Sequence, residues 1–295
     1  MENTKNKFDD YDGLSLLKEI KDKELEILDA VLDICNKNGI KYFLIGGSCL
    51  GAVRHGGFIP WDDDIDLGMP RPEYERFLQI AEQSLPDNFF LQYYKTDLDY
   101  RQDFTKVRNS NTSFIETASK NLKINHGLYI DIFPIDGMPN NPLKKFNLLL
   151  HKKIAKLYLG KDYFRSSFKK RLFLKLPILF ACALNMFKSP NKVLRKLDDH
   201  YKKFAYNECD FILCHGGAWG RREIHPKSQF GNGRFENFEG RKVIVPENAE
   251  EYLRWQYGDW QNLPPESQRK PHHFCEVIDL SRPYTYYKTT LNKDK

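Results

Sequence analysis

The chain has 295 residues, 41% hydrophobic and 14% aromatic, enough for one or two domains with a sizeable core, which excludes a disordered polymer. Its six cysteines (Cys35, Cys49, Cys182, Cys209, Cys214 and Cys275) have no paired spacing, which argues against a disulfide framework or a CxxC zinc pair, and the polar opening MENTKNKFDDYDGLSLLKEI lacks the apolar core of a secretory signal, so a reduced, cytoplasmic location is expected. The net charge of +6 is uneven: Lys144–Lys196 holds 15 Lys or Arg against Asp162 alone, a local +14 that leaves −8 on the rest and calls for a local reason.

Apolar residues Leu17, Ile20, Leu25, Leu28, Leu32 and Cys35 recur near helical spacing and predict a helix over 14–36, ended by Asn38-Gly39. IKYFLI (Ile40–Ile45) predicts a buried strand, broken by Gly46-Gly47. Ser48 is placed to cap a short helix reaching about Arg54. In DIDLGM, Ile65 and Leu67 alternate with Asp64, Asp66 and Gly68, a period that sets both aspartates on one face of a strand. Arg71–Ser84 predicts a helix with Pro72 in its first turn and Tyr74, Phe77, Leu78 and Ala81 turned inward. Strands are expected at Phe89–Tyr94, Phe104–Arg108, Ser113–Glu116 and Gly127–Phe133, and helices through much of 140–206. RKVIVP then predicts a strand, and PENAEEYLRWQYG a helix ending at Gly258. The expected organisation is an α/β core over 1–139, a basic helical insertion over 140–206, and a C-terminal part, 207–295, that completes the core.

WDDDID packs Asp62, Asp63, Asp64 and Asp66 into six residues. Each like-charged pair at ~4 Å costs roughly 4 kcal/mol at an effective dielectric near 20. A solvated acidic loop is the plain explanation; a bound cation is the sharper one. Mg²⁺ takes hard oxygens, few of them carboxylates, and leaves room for water and phosphate. Asp131, embedded in the apolar GLYIDIFPID, is the natural third carboxylate from a neighbouring strand, because an unpaired charge there would be costly. Gly46 and Gly47 let backbone approach a ligand, and the helix that follows favours an anion at its start, with Ser48 beside it. Arg54, Lys106 and Arg108 offer positive charge, and His55 stands next to Arg54. A calcium loop of the EF-hand kind fails, since Leu67 stands where the turn needs glycine.

The stretch GGSCLGAVRHGGFIPWDDDIDLGMPRPEYERF strongly resembles the signature of LicD-type phosphocholine transferases, part of the nucleotidyltransferase-fold superfamily that includes fukutin-type phosphotransferases. KVRNSNTSF (Lys106–Phe114), GLYIDIFPIDG (Gly127–Gly137) and YGDWQNLPPESQR (Tyr257–Arg269) resemble later blocks of the same family, whereas no motif matches 144–196. The resemblance implies a mixed sheet flanked by helices, and Mg²⁺ (or Mn²⁺) bound by Asp64, Asp66 and Asp131, with Asp131 also a candidate general base. It implies transfer of phosphocholine from CDP-choline to a sugar hydroxyl of a cell-surface glycan, such as teichoic acid or lipopolysaccharide, or its lipid-linked precursor, with release of CMP. Phosphoethanolamine, phosphoglycerol or phosphoribitol from the matching CDP donor is the alternative cargo. A non-catalytic glycan-binding scaffold is the alternative from another class, and three retained carboxylates argue against it.

Trp61, Tyr100, Trp255, Tyr257 and Trp260 are candidates to cage a quaternary ammonium, since aromatic faces attract it. His272 and His273, in KPHHFCEV, are candidates to touch donor or acceptor; with Cys275 they make a poor zinc set, short of a ligand and of standard spacing. RLFLKLPILFACALNMFK (Arg171–Lys188) is interrupted by Lys175 and Pro177 and too short to span a bilayer. A basic, partly apolar helical region fits the inner membrane surface, and no recognisable nucleic-acid module is present.

Overall fold

The computed structural model describes residues 11–160, 175–185, 188–217, 219–271 and 273–287. Helix α1 (Tyr11–Asn38) buries Leu17, Ile20, Leu25, Leu28, Leu32 and Cys35, the stripe its spacing predicts. Strand β1 is only Phe43–Leu44. The run Ile40–Ile45 is buried almost throughout, but pairing stops because Gly46 (φ 56°) turns the chain into helix α2 (Gly46–His55). That helix starts earlier than expected, with Ile45 as its N-cap, so Ser48 does not cap it. Its hydroxyl instead accepts from the Asp66 amide at 2.8 Å and ties α2 to the next strand. Strand β2 is Asp66–Pro70, so Asp64 precedes the strand it was expected to share. Helix α3 (Arg71–Ser84) has the expected bounds and buries Tyr74, Phe77, Leu78 and Ala81.

The main sheet is mixed. Strand β4 (Thr105–Asn109) pairs antiparallel with both β3 (Phe89–Gln92) and β6 (Leu128–Met138), while β2 lies parallel to β6. Strand β5 (Ser113–Glu116) leaves this sheet to pair with β11 (Cys275–Asp279). All eleven residues of β6 are buried, which marks it as the central strand. Strand β4 pairs with β6 only to Ile132; beyond Pro134, which has no amide to donate, β7 (Phe211–Cys214) takes over from Ile135 to Met138 and carries β8 (Ile224–Pro226) at its other edge.

Helices α4 (Pro142–Leu159), α5 (Lys175–Leu184) and α6 (Pro190–Tyr201) share a second core with Met138, Leu213 and Ile224. The hairpin of β9 (Arg234–Phe238) and β10 (Arg241–Val245) turns through Glu239 and Gly240, both at positive φ. Helix α7 (Ala249–Tyr257) ends at Gly258 (φ 76°), as expected. Among the described residues no helix is long and apolar enough to cross a membrane, and all six cysteines are free thiols.

Candidate active site

The parallel pairing of β2 with β6 sets Asp66 directly beside Asp131. Neighbouring strands lie about 4.8 Å apart, so two register-matched carboxylates on one face are close neighbours. Just upstream, Asp62, Asp63 and Asp64 each present an oxygen, and these lie within 4.8 Å of one another. Together with Trp61, Gly46 and Gly47, Asp62, Asp64, Asp66 and Asp131 line a cleft of about 460 Å³.

The glycine turn is shaped to the carboxylates. A Cβ on Gly46 would sit 3.0 Å from Asp66 Oδ2, and one on Gly47 would sit 2.6 Å from Asp62 Oδ2. Any side chain here would fill the gap between backbone and acids. The Gly46 amide donates to the Tyr252 hydroxyl at 2.8 Å, which anchors the turn against α7.

Charge in the cleft is poorly balanced. Burial and then the neighbouring Asp64 push the Asp66 carboxyl well above its usual range, and Asp131 adds to this. Burial and the same neighbour do likewise to Asp62. Asp131 is also raised by burial, although Lys106 Nζ bonds its Oδ1 at 2.7 Å. Asp63 takes both the ring and the backbone N–H of His273, at 3.2 and 3.3 Å. Burial alone would lower His273, but the Asp63 bond and the surrounding acids carry it up to about 10, so it is an imidazolium at neutral pH. Glu24, from α1, is buried behind the cluster; burial, Asp64 and Asp63 raise it strongly, and its Oε2 has no partner among the described residues. Such a surplus of hard oxygen ligands suits a divalent cation: Asp66 and Asp131 from adjacent strands, with Asp62 and Asp64 alongside, could hold one.

The other sequence candidates divide. Gly46, Gly47, Trp61, Tyr257 and His273 line the cleft. Lys106 is buried, bound to Asp131 and stacked on Tyr129 at 3.2 Å. Arg54 and His55 are turned away: Arg54 donates to the Trp260 carbonyl (2.6 Å) and to His55 Nε2 (3.0 Å), and His55 is exposed. Arg108 is buried and used by the Gln92 side chain and the Gly127 carbonyl. Tyr100 and Trp260 are buried without lining the cleft, Trp255 is 45% exposed on the surface, and His272 lies outside the described residues.

Residues not singled out from sequence complete the wall: Trp219, Glu223, Tyr252 and Gln256, besides Glu24 behind it. Glu24 carried a usable signal, since it falls four residues after Ile20 and four before Leu28, on the buried stripe of α1. An acid on that face needs a reason.

Residues 39–177 match the family described as LicD/FKTN/FKRP, nucleotidyltransferase domain, a span that runs into the basic stretch 144–196. The chain is 32% identical over 260 residues, 87% of its length and 95% of the relative's, to the lipopolysaccharide cholinephosphotransferase LicD of Haemophilus influenzae. This chain belongs to the LicD family. A shorter similarity, 54% over 39 residues, links it to the ribitol 5-phosphate transferase FKRP of Homo sapiens, covering 13% of this chain and 8% of that protein. An uncharacterised Rickettsia typhi protein is 47% identical over 51 residues, covering 17% of this chain and 16% of its own. The LicD-family relatives named for an activity are thus phosphotransferases whose cargoes are different alcohols.

Proposed function

We propose that this LicD-family chain transfers phosphocholine from CDP-choline to a sugar hydroxyl of a cell-surface glycan or its lipid-linked precursor, releasing CMP. The observation that carries the reading is the register pairing of Asp66 with Asp131 in a cleft faced by a glycine turn. The acceptor oxygen attacks the phosphorus that bears choline, its bond to CMP breaks, and CMP leaves with the electron pair. Asp66 and Asp131, with Asp64 beside them, are the proposed ligands of Mg²⁺ or Mn²⁺. When bound, the cation neutralises the diphosphate oxygens and the charge gathering on the departing CMP. Lys106 holds one oxygen of Asp131, leaving the other to take the acceptor proton. His273 adds fixed positive charge at the wall. The aromatic faces of Trp61, Trp219 and Tyr257 suit the choline ammonium.

The similarity to a ribitol 5-phosphate transferase keeps a second cargo in view, because the acids recognise the diphosphate and not the alcohol. Contact with the inner membrane surface is part of the same proposal. Leu143 and Phe146 on α4 and Leu179 and Phe180 on α5 are exposed amid lysines, the composition of a helical face lying on anionic lipid.

The test is CMP release from CDP-choline with a glycan acceptor, with and without Mg²⁺, in wild type and Asp64→Asn. Turnover that needs the metal and is lost in the variant is expected; equal turnover in both proteins overturns the metal site. Thermal shifts with CDP-choline, CDP-ethanolamine, CDP-glycerol and CDP-ribitol then rank the cargo, and a preference for a nucleotide other than a CDP-alcohol would remove the donor assignment.

A further inference from the structure

Beside the catalytic cleft lies a second cavity of about 620 Å³, between α4 and the β7–β8 edge of the sheet. Its apolar wall includes Leu149, Leu157 and Ile224. Four cations line it as well: Lys152, Lys153, Lys156 and Arg221. Gly217 belongs to the walls of both cavities, so the two spaces adjoin.

These cations have little to bind within the chain. Among the described residues the side chains of Lys152, Lys153 and Arg221 make no hydrogen bond or ion pair, and the Lys156 ammonium reaches only Asp103, at 3.7 Å. Asp103 is itself engaged by the Tyr201 hydroxyl at 3.0 Å. Glu223, the other acid near Lys152, accepts from the Trp219 amide at 3.0 Å and lines the catalytic cleft. Burial lowers the Lys152 ammonium, and Asp103 offsets this only in part. Cations crowded over an apolar wall and short of partners suit a ligand that brings negative charge and hydrocarbon together. A neutral sugar would leave them unpaired.

We propose that this cavity is an acceptor subsite that holds a phosphate group borne next to an apolar chain, while the acceptor's hydroxyl reaches past Gly217 into the catalytic cleft. The proposal rests on the transferase reading above and adds to it the chemistry of the acceptor: an anionic amphiphile.

The probe is octyl phosphate, kept below its micellar concentration, titrated into the full chain by calorimetry, with octyl glucoside and inorganic phosphate as separate arms. Saturable binding of octyl phosphate is expected, at least tenfold tighter than either control. In Lys152→Gln/Lys153→Gln/Arg221→Gln its affinity should fall at least tenfold while the thermal shift produced by CDP-choline is kept. A milder pair, Lys153→Gln/Arg221→Gln, should show part of the loss, and Lys153→Arg should retain wild-type affinity. Equal binding of octyl glucoside overturns the anion requirement. Inorganic phosphate binding as tightly as octyl phosphate overturns the apolar half. Unchanged octyl phosphate affinity in the triple variant overturns the site. If wild type binds octyl phosphate through these residues but gives no thermal shift with CDP-choline, CDP-ethanolamine, CDP-glycerol or CDP-ribitol, the transferase reading fails instead, and with it the role of this cavity as an acceptor subsite.

Discussion

Strand β6 carries two buried aspartates five residues apart, Asp131 and Asp136, on opposite faces of the sheet. On one face Asp136 takes both arms of Arg71, with the Nε bond at 2.7 Å, and lies 3.1 Å from His215 Nε2. Arg71 also reaches Glu75 and Asp198, at 3.2 and 2.9 Å, which draws α3 and α6 onto the sheet. Burial would raise Asp136, yet Arg71 outweighs it and holds the carboxyl at about 2. On the other face Asp131 has Lys106 and, beside it, a second carboxylate, so burial wins and the group is raised. The same residue type in the same strand is satisfied by protein charge on one side and left short of it on the other. Matched charge holds elements together; unmatched charge waits for a ligand.

Four measurements break or sharpen that contrast. The largest effect is expected from Asp66→Asn or Asp131→Asn. Turnover should fall roughly 1000-fold or more, about 4 kcal/mol in barrier, and the melting temperature of Asp66→Asn should be unchanged or higher because a crowded charge is gone. A matching loss of stability would place these acids with Asp136. Next is Arg71→Ala, which strands Asp136 in the interior. Denaturant titration should show a loss of about 3–5 kcal/mol, while turnover per folded molecule stays within about threefold.

The acid limb of stability tests the same pair without mutation. Asp136 has a folded value below its unfolded one, so its contribution is present above the ordinary carboxylate range and is lost as pH falls from about 3.8 towards about 2. That contribution is about 2 kcal/mol, and Asp136→Asn should flatten the profile in that window. The smallest effect belongs to Trp255→Ala. Its ring lies outside the cleft, and donor affinity should move by no more than about 0.5 kcal/mol. A tenfold loss of donor affinity would bring this tryptophan into the site.

The helices were readable because their signals are local. Arg71–Ser84 carries a proline in its first turn and an unbroken apolar stripe, and its bounds match the structure. The strand at Gly127–Phe133 was placed but stops short of Met138, because Pro134 and Gly137 read as breakers while a change of pairing partner lets the strand run on. Within the site, WDDDID and the glycine turn stood out through charge and spacing. Arg54 and Arg108 show the limit: a basic residue near a motif points to anion binding, but only the fold reveals that carbonyls already claim both side chains. Trp219, Glu223 and Gln256 come from a distant part of the chain with no pattern of their own, and long-range packing alone brings them to the acids.

That last feature bears on how the protein can be handled. Every acid of the WDDDID cluster, along with Asp131, falls inside the span that matches the LicD family, 39–177, whereas the facing wall is built from Trp219, Glu223, Tyr252, Tyr257 and His273. A recombinant fragment trimmed to the matched span would keep the anionic half of the vessel and lose the half that shuts out bulk water. Its aspartates would then be solvated and easily charged, and their grip on a metal ion would weaken at the moment the chemistry most needs it.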